Sequence, residues 1–187
     1  MVRRYQPPRM ADEPRPDFTV LLSSEEIAAV IETMADQIAP RVDSDTVAVC
    51  LLTGGLWFAA DLTRALAKRG KLVRFDALWL ASYGDERKSA GEVRVYAPLQ
   101  RSVEGTRVLI LDDVFDSGLS LREAVRLVRE VGAAEVLTAV FARKPWPEPR
   151  AMAPDFVGWE APSRYLVGYG LDAAGRMRGL PSIAALD

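Results

Sequence analysis

Residues 108–121 read Val108-Leu109-Ile110-Leu111-Asp112-Asp113-Val114-Phe115-Asp116-Ser117-Gly118-Leu119-Ser120-Leu121. An apolar run ends in two carboxylates, passes through an Asp-Ser-Gly turn and enters a stretch of helical character. The nearly continuous run from Arg107 to Leu111 suits a parallel strand covered on both faces, since neither side of it is made for water. Ser120-x-x-Glu123 has the spacing of a capping box, which predicts a helix starting near Ser120 and stopping before Gly132. That order sets a loop and a helix N-terminus beyond the carboxyl end of a strand, where open parallel sheets take their ligands. Backbone N–H groups from Asp116 to Ser120, with the Ser117 and Ser120 hydroxyls and the positive end of the helix, suit a phosphate without any lysine. Gly118 lets the backbone come close. A carboxylate aimed at a phosphate would be repelled, so Asp112 and Asp113 read as acceptors for two vicinal hydroxyls. A sugar phosphate fits that set. Any one of these acids alone would be read as favouring a helix start, a device worth about 0.3–1 kcal/mol.

Outward from this segment, strands alternate with helices. Ser23-Ser24-Glu25-Glu26 offers a capping box, followed by Ile27, Val30, Ile31, Met34 and Ile38 at helical spacing. Val47–Leu52 reads as a buried strand running into Thr53-Gly54-Gly55, and Leu56 to Lys68 as a helix closed by Gly70. Leu72–Leu80 and Val93–Ala97 are strand candidates flanking a polar stretch, Ser82–Glu92, which is either a solvated hairpin loop or a functional flap. Val136–Phe141 is the next strand. Past Arg143, Pro145, Pro147, Pro149 and Pro154 break the pattern. The short apolar pieces Phe156–Trp159, Tyr165–Tyr169 and Ile183–Leu186 then suggest a small flanking lobe. The alternation predicts an α/β fold, a Rossmann-like parallel sheet flanked by helices.

At 187 residues the chain is long enough for one domain with a full core. Residues 1–17, with Pro7, Pro8, Pro14 and Pro16 among four arginines, read as a poorly ordered arm, leaving 18–187 as the domain. Within it the core spans about 40–142, and a hood combines the N-terminal segment with about 143–187. With 24 Lys+Arg against 26 Asp+Glu, a formal net charge of -2 gives no global field that would point to nucleic acid or an anionic membrane. The single cysteine, Cys50, lies in an apolar strand and reads as a small buried hydrophobe, so no disulfide forms within the chain and a reducing compartment is expected. No run of about 18 apolar residues occurs, so a cytoplasmic protein is expected. Histidine is absent, which removes Ser-His-Asp and Cys-His nucleophile systems. Any acid or base must be Asp, Glu, Lys or Tyr, and any metal a hard cation held by oxygen.

The stretch Leu109–Ser120 closely resembles the phosphoribosyl-diphosphate signature of type I phosphoribosyltransferases. Four further segments resemble the hypoxanthine-guanine branch of that family, in the family's order: Leu51–Leu62 with Thr53-Gly54-Gly55 inside it, Ser82-Tyr83-Gly84, Arg143-Lys144-Pro145, and Tyr165–Asp172 followed by Arg178-Gly179-Leu180-Pro181. Together they cover roughly residues 18–187. The resemblance implies that Asp112 and Asp113 receive the ribose hydroxyls, that Asp116, Ser117, Gly118, Leu119 and Ser120 hold the 5′-phosphate, and that Asp116 is the acid/base facing N7 of a purine. It implies a diphosphate loop at Thr53 and Gly54, often with a non-proline cis peptide, with Arg178 meeting the same group. Ser82 and Tyr83 would belong to a closing flap. Lys144 would donate to O6 of the base, Tyr165 would stack on its ring and Leu166 would read it through its backbone. Asp172 would border the purine and help bind Mg²⁺, with Asp112 and Asp113 as further candidates for the metal. Phosphoribosyl diphosphate and a purine base would be the partners of a homodimer or homotetramer.

Two positions depart from that family's pattern. Thr53 stands where a basic residue is frequent, and Trp79 where some relatives place an arginine near the diphosphate. Each change removes a positive charge from that side of the site. Lys144 could equally be a solvated charge before a proline, Tyr165 ordinary core, and Asp172 with Arg178 a surface pair. A non-catalytic nucleotide sensor of the same fold is the main rival reading, and a transferase for xanthine or another base a further one. No Gly-x-Gly-x-x-Gly follows the first strand, which argues against a dinucleotide-dependent oxidoreductase.

Overall fold

A computed structural model describes residues 17–83, 92–150 and 152–186. The Pro- and Arg-rich arm to residue 16 and the polar stretch 84–91 lie outside the described residues. The chain forms β1 (Phe18–Leu22), α1 (Ser24–Ile38), β2 (Val47–Leu52), α2 (Leu56–Lys68), β3 (Arg74–Tyr83), β4 (Glu92–Ala97), β5 (Arg107–Phe115), α3 (Leu119–Glu130), β6 (Glu135–Arg143), β7 (Phe156–Glu160), β8 (Leu166–Val167) and β9 (Ile183–Leu186). Six strands make the main sheet in the order β4-β3-β2-β5-β6-β7. Its only antiparallel neighbours among the described residues are β3 and β4, and the rest pair in parallel. This is the expected α/β architecture.

β2 sits between β3 and β5, and Val47, Ala48, Val49 and Cys50 have no exposed surface, which is why the run carries no polar residue. Helices α1 and α2 cover one face. Ile27, Ile31, Met34, Ala35 and Ile38 form the buried stripe of α1, and Phe58, Ala59, Leu62, Ala65 and Leu66 that of α2. Each large side chain fully buried there contributes about 1.5–3 kcal/mol relative to exposure. Helix α3 covers the other face through Leu121, Ala124 and Val128. The lobe is a three-stranded antiparallel sheet, β1-β9-β8, whose Leu22, Leu166 and Ile183 join the α1/α2 side of the core. No helix of the described residues is long and apolar enough to cross a membrane.

Three expectations change. β5 continues to Phe115, so Asp112 and Asp113 are strand residues, with Asp112 paired opposite Val140 of β6. The second capping box does not form: α3 starts one residue before Ser120, its N-cap is Gly118 without a side-chain bond, and Glu123 pairs with Arg126 instead. Phe156–Trp159, read with the flanking lobe, is the outer strand of the main sheet. Asp155 explains this, since its Oδ2 accepts from both Thr138 N and Thr138 Oγ1 at 2.8 Å, and its own N–H donates to Thr138 Oγ1 at 2.9 Å. These bonds align β7 along β6 before the ladder begins.

Candidate active site

Three neighbouring parallel strands, β2, β5 and β6, deliver their carboxyl ends to one edge of the sheet. Beyond β2 lies Thr53-Gly54-Gly55, with a cis peptide between Leu52 and Thr53. Beyond β5 lies Asp116-Ser117-Gly118, and beyond β6 lies Lys144. The register sets Phe115 opposite Arg143, so the next residues, Asp116 and Lys144, are also brought side by side. Lys144 N–H donates to the Phe115 carbonyl at 3.1 Å, and its Nζ stands 3.7 Å from Asp116 Oδ2. An acid and an ammonium donor therefore share the mouth of the cleft.

Gly118 adopts φ 83°, a left-handed conformation that turns the chain from strand into helix without a spacer. A methyl group there would come within 2.8 Å of the Phe115 ring. The first-turn amides of α3, around Leu119 and Ser120, have no intrahelical partner by helix geometry, and Ser117 Oγ accepts weakly from Leu119 N at 3.4 Å. The N-terminus of α3 is thus an anion receptor made of backbone.

Asp112 is buried, 9% exposed, and its Oδ1 accepts from Asp113 N at 3.2 Å. Burial holds the Asp112 carboxyl well above the usual carboxylate range, and the neighbouring Asp113 charge pushes the same way. Burial raises Asp113 as well, against the pull of hydrogen bonds from Asp112 and the backbone. Behind them the Cys50 thiol is pushed up to about 12 by burial and then by the two acids, which leaves it inert. Asp113 reaches the other loop: a methyl on Gly54 would sit 1.9 Å from Asp113 Oδ2. Only glycine allows that approach.

The C-terminal segment closes on the Thr53–Gly55 loop. A methyl on Gly170 would lie 2.1 Å from the Gly54 carbonyl oxygen. Arg178 Nη1 donates to the Gly170 carbonyl at 2.5 Å, and Arg178 Nη2 pairs with Asp172 Oδ1 at 2.5 Å. Asp172 Oδ2 accepts from Gly175 N at 2.5 Å. Asp172 therefore pairs with Arg178, whose charge also acts on Asp113, and among the described residues no three acidic or thiol side chains converge as a metal cage. Tyr165 is 57% exposed with its hydroxyl donating to the Asp172 carbonyl at 3.1 Å, so its ring is open for stacking, while Leu166 is buried in β8. Thr53 and Trp79 are exposed. Ser82 and Tyr83 end β3, and their side chains, like Gly84, lie outside the described residues.

Two features escape the reading of the sequence. Arg150 Nε donates to the Asp116 carbonyl at 2.6 Å, and its Nη2 donates to the Lys144 carbonyl. Tyr169, at φ 47°, buries its ring against Phe141 and donates to Asp61 Oδ2 at 2.9 Å, which anchors the Gly168–Leu171 turn on α2. The only sequence signal for Arg150 is its position at the end of a proline-rich segment.

Comparisons with known proteins bear on the family and the fold. The family model described as the phosphoribosyl transferase domain matches residues 19–173. The hypoxanthine-guanine phosphoribosyltransferase of Bacillus subtilis is 36% identical over 168 residues, covering 89% of this chain and 92% of the relative. That of Aquifex aeolicus is 33% identical over 166 residues, covering 88% and 92%. Among solved structures, a hypoxanthine phosphoribosyltransferase from Staphylococcus aureus superposes with a TM-score of 0.82 at 27% identity, covering 90% of this chain and 91% of that one. The Trypanosoma cruzi hypoxanthine phosphoribosyl transferase gives 0.84 at 29% identity, covering 95% of both.

Proposed function

Because the chain belongs to the phosphoribosyltransferase family, we propose that it is a purine-salvage enzyme that joins hypoxanthine or guanine to phosphoribosyl diphosphate, giving the nucleoside 5′-monophosphate and diphosphate. The observation that carries this reading is the Asp116 carboxylate 3.7 Å from the Lys144 ammonium, at the mouth of the open α3 N-terminus. The reaction displaces diphosphate from ribose C1 by a purine nitrogen, with inversion and an oxocarbenium-like transition state. Positioning and charge management matter more than a nucleophile, so the absence of histidine is no obstacle.

In this mechanism the amides from Asp116 to Ser120 hold the 5′-phosphate and Asp112 with Asp113 accept from the ribose hydroxyls. Asp116 takes up the proton released at N7 as the base attacks. Lys144 donates to the 6-oxo group, Tyr165 stacks on the ring and the backbone at Leu166 reads its edge. Thr53, Gly54 and Arg178 meet the leaving diphosphate, and Ser82 and Tyr83, at the end of β3, are assigned to excluding water from the reacting centre. Asp112 and Asp113 form no ready-made metal cage with Asp172, but as oxygen donors they would suit a hard cation such as Mg²⁺, and their raised carboxyls are what an adjacent positive charge would relieve. Such a cation, completed by oxygens of the substrate, would neutralise charge on the diphosphate. Exposed Phe75, Trp79 and Tyr96 on the β3–β4 side support assembly into a homodimer or homotetramer.

The deciding experiment incubates the protein with Mg²⁺, phosphoribosyl diphosphate and a panel of nucleobases, scoring nucleotide and diphosphate. Hypoxanthine and guanine should be consumed. Adenine should not, because its 6-amino group cannot accept from the Lys144 ammonium. Binding of nucleotide without turnover of any base would instead identify a sensor.

A further inference from the structure

After Lys144 the chain runs Pro145-Trp146-Pro147-Glu148-Pro149-Arg150, a segment in which three prolines restrict the backbone and direct Arg150 back toward the strand ends. Its guanidinium makes three contacts there. Nε donates to the Asp116 carbonyl at 2.6 Å, Nη2 donates to the Lys144 carbonyl, and Cζ lies 4.8 Å from the centroid of the Phe115 ring. Both carbonyls stand just beyond the β5–β6 ladder, which ends at the Phe115–Arg143 pair, so neither has a neighbouring strand to bond. The Phe115 ring under the guanidinium is also the surface against which Gly118 packs. One planar fork thus ties the acid, the lysine and the turn into α3.

We propose that Arg150 is a positioning residue that fixes the spacing of Asp116 and Lys144, a role that rests on the transfer reaction proposed above. The residue type matters. Two carbonyls at different angles and a ring face match a flat, multi-donor guanidinium, whereas an ammonium is a point charge that can satisfy fewer of these directions. Arg150 touches no reacting atom. It acts by holding the proton acceptor and the base-reading donor in one frame, so that the purine meets both at once.

The test compares Arg150→Met, which keeps an apolar stem on Phe115 but no donors, with Arg150→Lys, which keeps one cationic donor. Arg150→Met should lower kcat with hypoxanthine by about 10- to 100-fold, as a small misplacement of catalytic groups does, while KM for phosphoribosyl diphosphate changes less than about twofold. Arg150→Lys should recover part of that loss. In an Asp116→Asn background the same Arg150→Met change should cost clearly less than in the wild type, because one of the two groups it positions is already gone. An equal loss in both backgrounds would show a general structural role and overturn the proposal. Hydrogen exchange supplies a readout independent of turnover: amides 116–120 and 144 should exchange about tenfold faster in Arg150→Met, with α1 unchanged. Unaltered exchange at those amides would equally overturn it. If the wild-type protein transferred no base, the functional reading would fall, while the exchange result would still decide whether Arg150 holds the two loops together.

Discussion

Helices α1 and α3 begin with the same spacing, Ser23-x-x-Glu26 and Ser120-x-x-Glu123, yet their N-termini are opposites. In α1 the Ser23 hydroxyl accepts from Glu26 N at 3.2 Å and Glu26 Oε2 accepts from Ser23 N at 2.8 Å, so two end amides are closed by the protein itself. In α3 the left-handed Gly118 starts the helix early, Ser120 falls inside the first turn, and Glu123 turns to Arg126 at 2.6 Å. The amides that a capping serine would have taken stay turned to the cleft. A closed start is scaffolding and an open one is a receptor for an anion. The local pattern is shared, and the conformation of one glycine separates the two outcomes.

The largest effect should come at the open end. Asp116→Asn should cut turnover by about 10²–10⁴-fold, as expected for lost general acid–base help, and leave phosphoribosyl diphosphate binding nearly intact. Steady-state kinetics with parallel calorimetry checks both halves, and near-normal turnover would refute the role. Next is the charge beside that opening. The folded pKa of Asp112 lies above its ordinary 3.8, so ionisation opposes folding, and stability falls as pH rises from about 4 through the folded value. Asp112→Asn should therefore melt higher than wild type at pH 7–8 and converge with it near pH 4, even as ribose binding is lost. A variant that melts lower at neutral pH would contradict an upward shift of that carboxyl.

A smaller effect tests the glycine. Gly118→Ala places a Cβ in a left-handed residue and against Phe115, which should destabilise by about 1–2 kcal/mol. Thermal melts with and without a 5′-mononucleotide should show both a lower midpoint and a smaller rise on binding. The sharpest contrast is the mildest pair. Ser23→Ala should cost about 0.5–2 kcal/mol of stability with turnover unchanged. Ser120→Ala should stay within about 0.5 kcal/mol by denaturant unfolding, because no cap is lost. Equal destabilisation by the two would erase the distinction between the helices.

β2 and α2 were readable residue for residue, since a fully apolar run followed by glycines and a helical stripe ending at Gly70 has few other interpretations. The order of acids, turn and helix around Asp116 was readable for the same reason. The end of β5 was not. Two adjacent carboxylates look like the start of a loop, and only pairing with β6 keeps Asp112 in the sheet. Phe156 could not be assigned to the main sheet because the Asp155–Thr138 bonds that bring it there link residues 17 apart in the chain. Arg150 was hidden for the same kind of reason: its partner Asp116 is 34 residues away, and no periodicity announces such a contact.

β1 and β9 pair antiparallel, with Phe18 opposite Leu186. A strand near one end of the described chain can therefore complete its ladder only after one near the other end exists. During synthesis on a ribosome, β2, β5 and β6 can assemble while β9 is still untranslated, but β1 must wait until β9 has emerged. The small sheet is thus zipped shut only after the strands that carry the cleft can already have met.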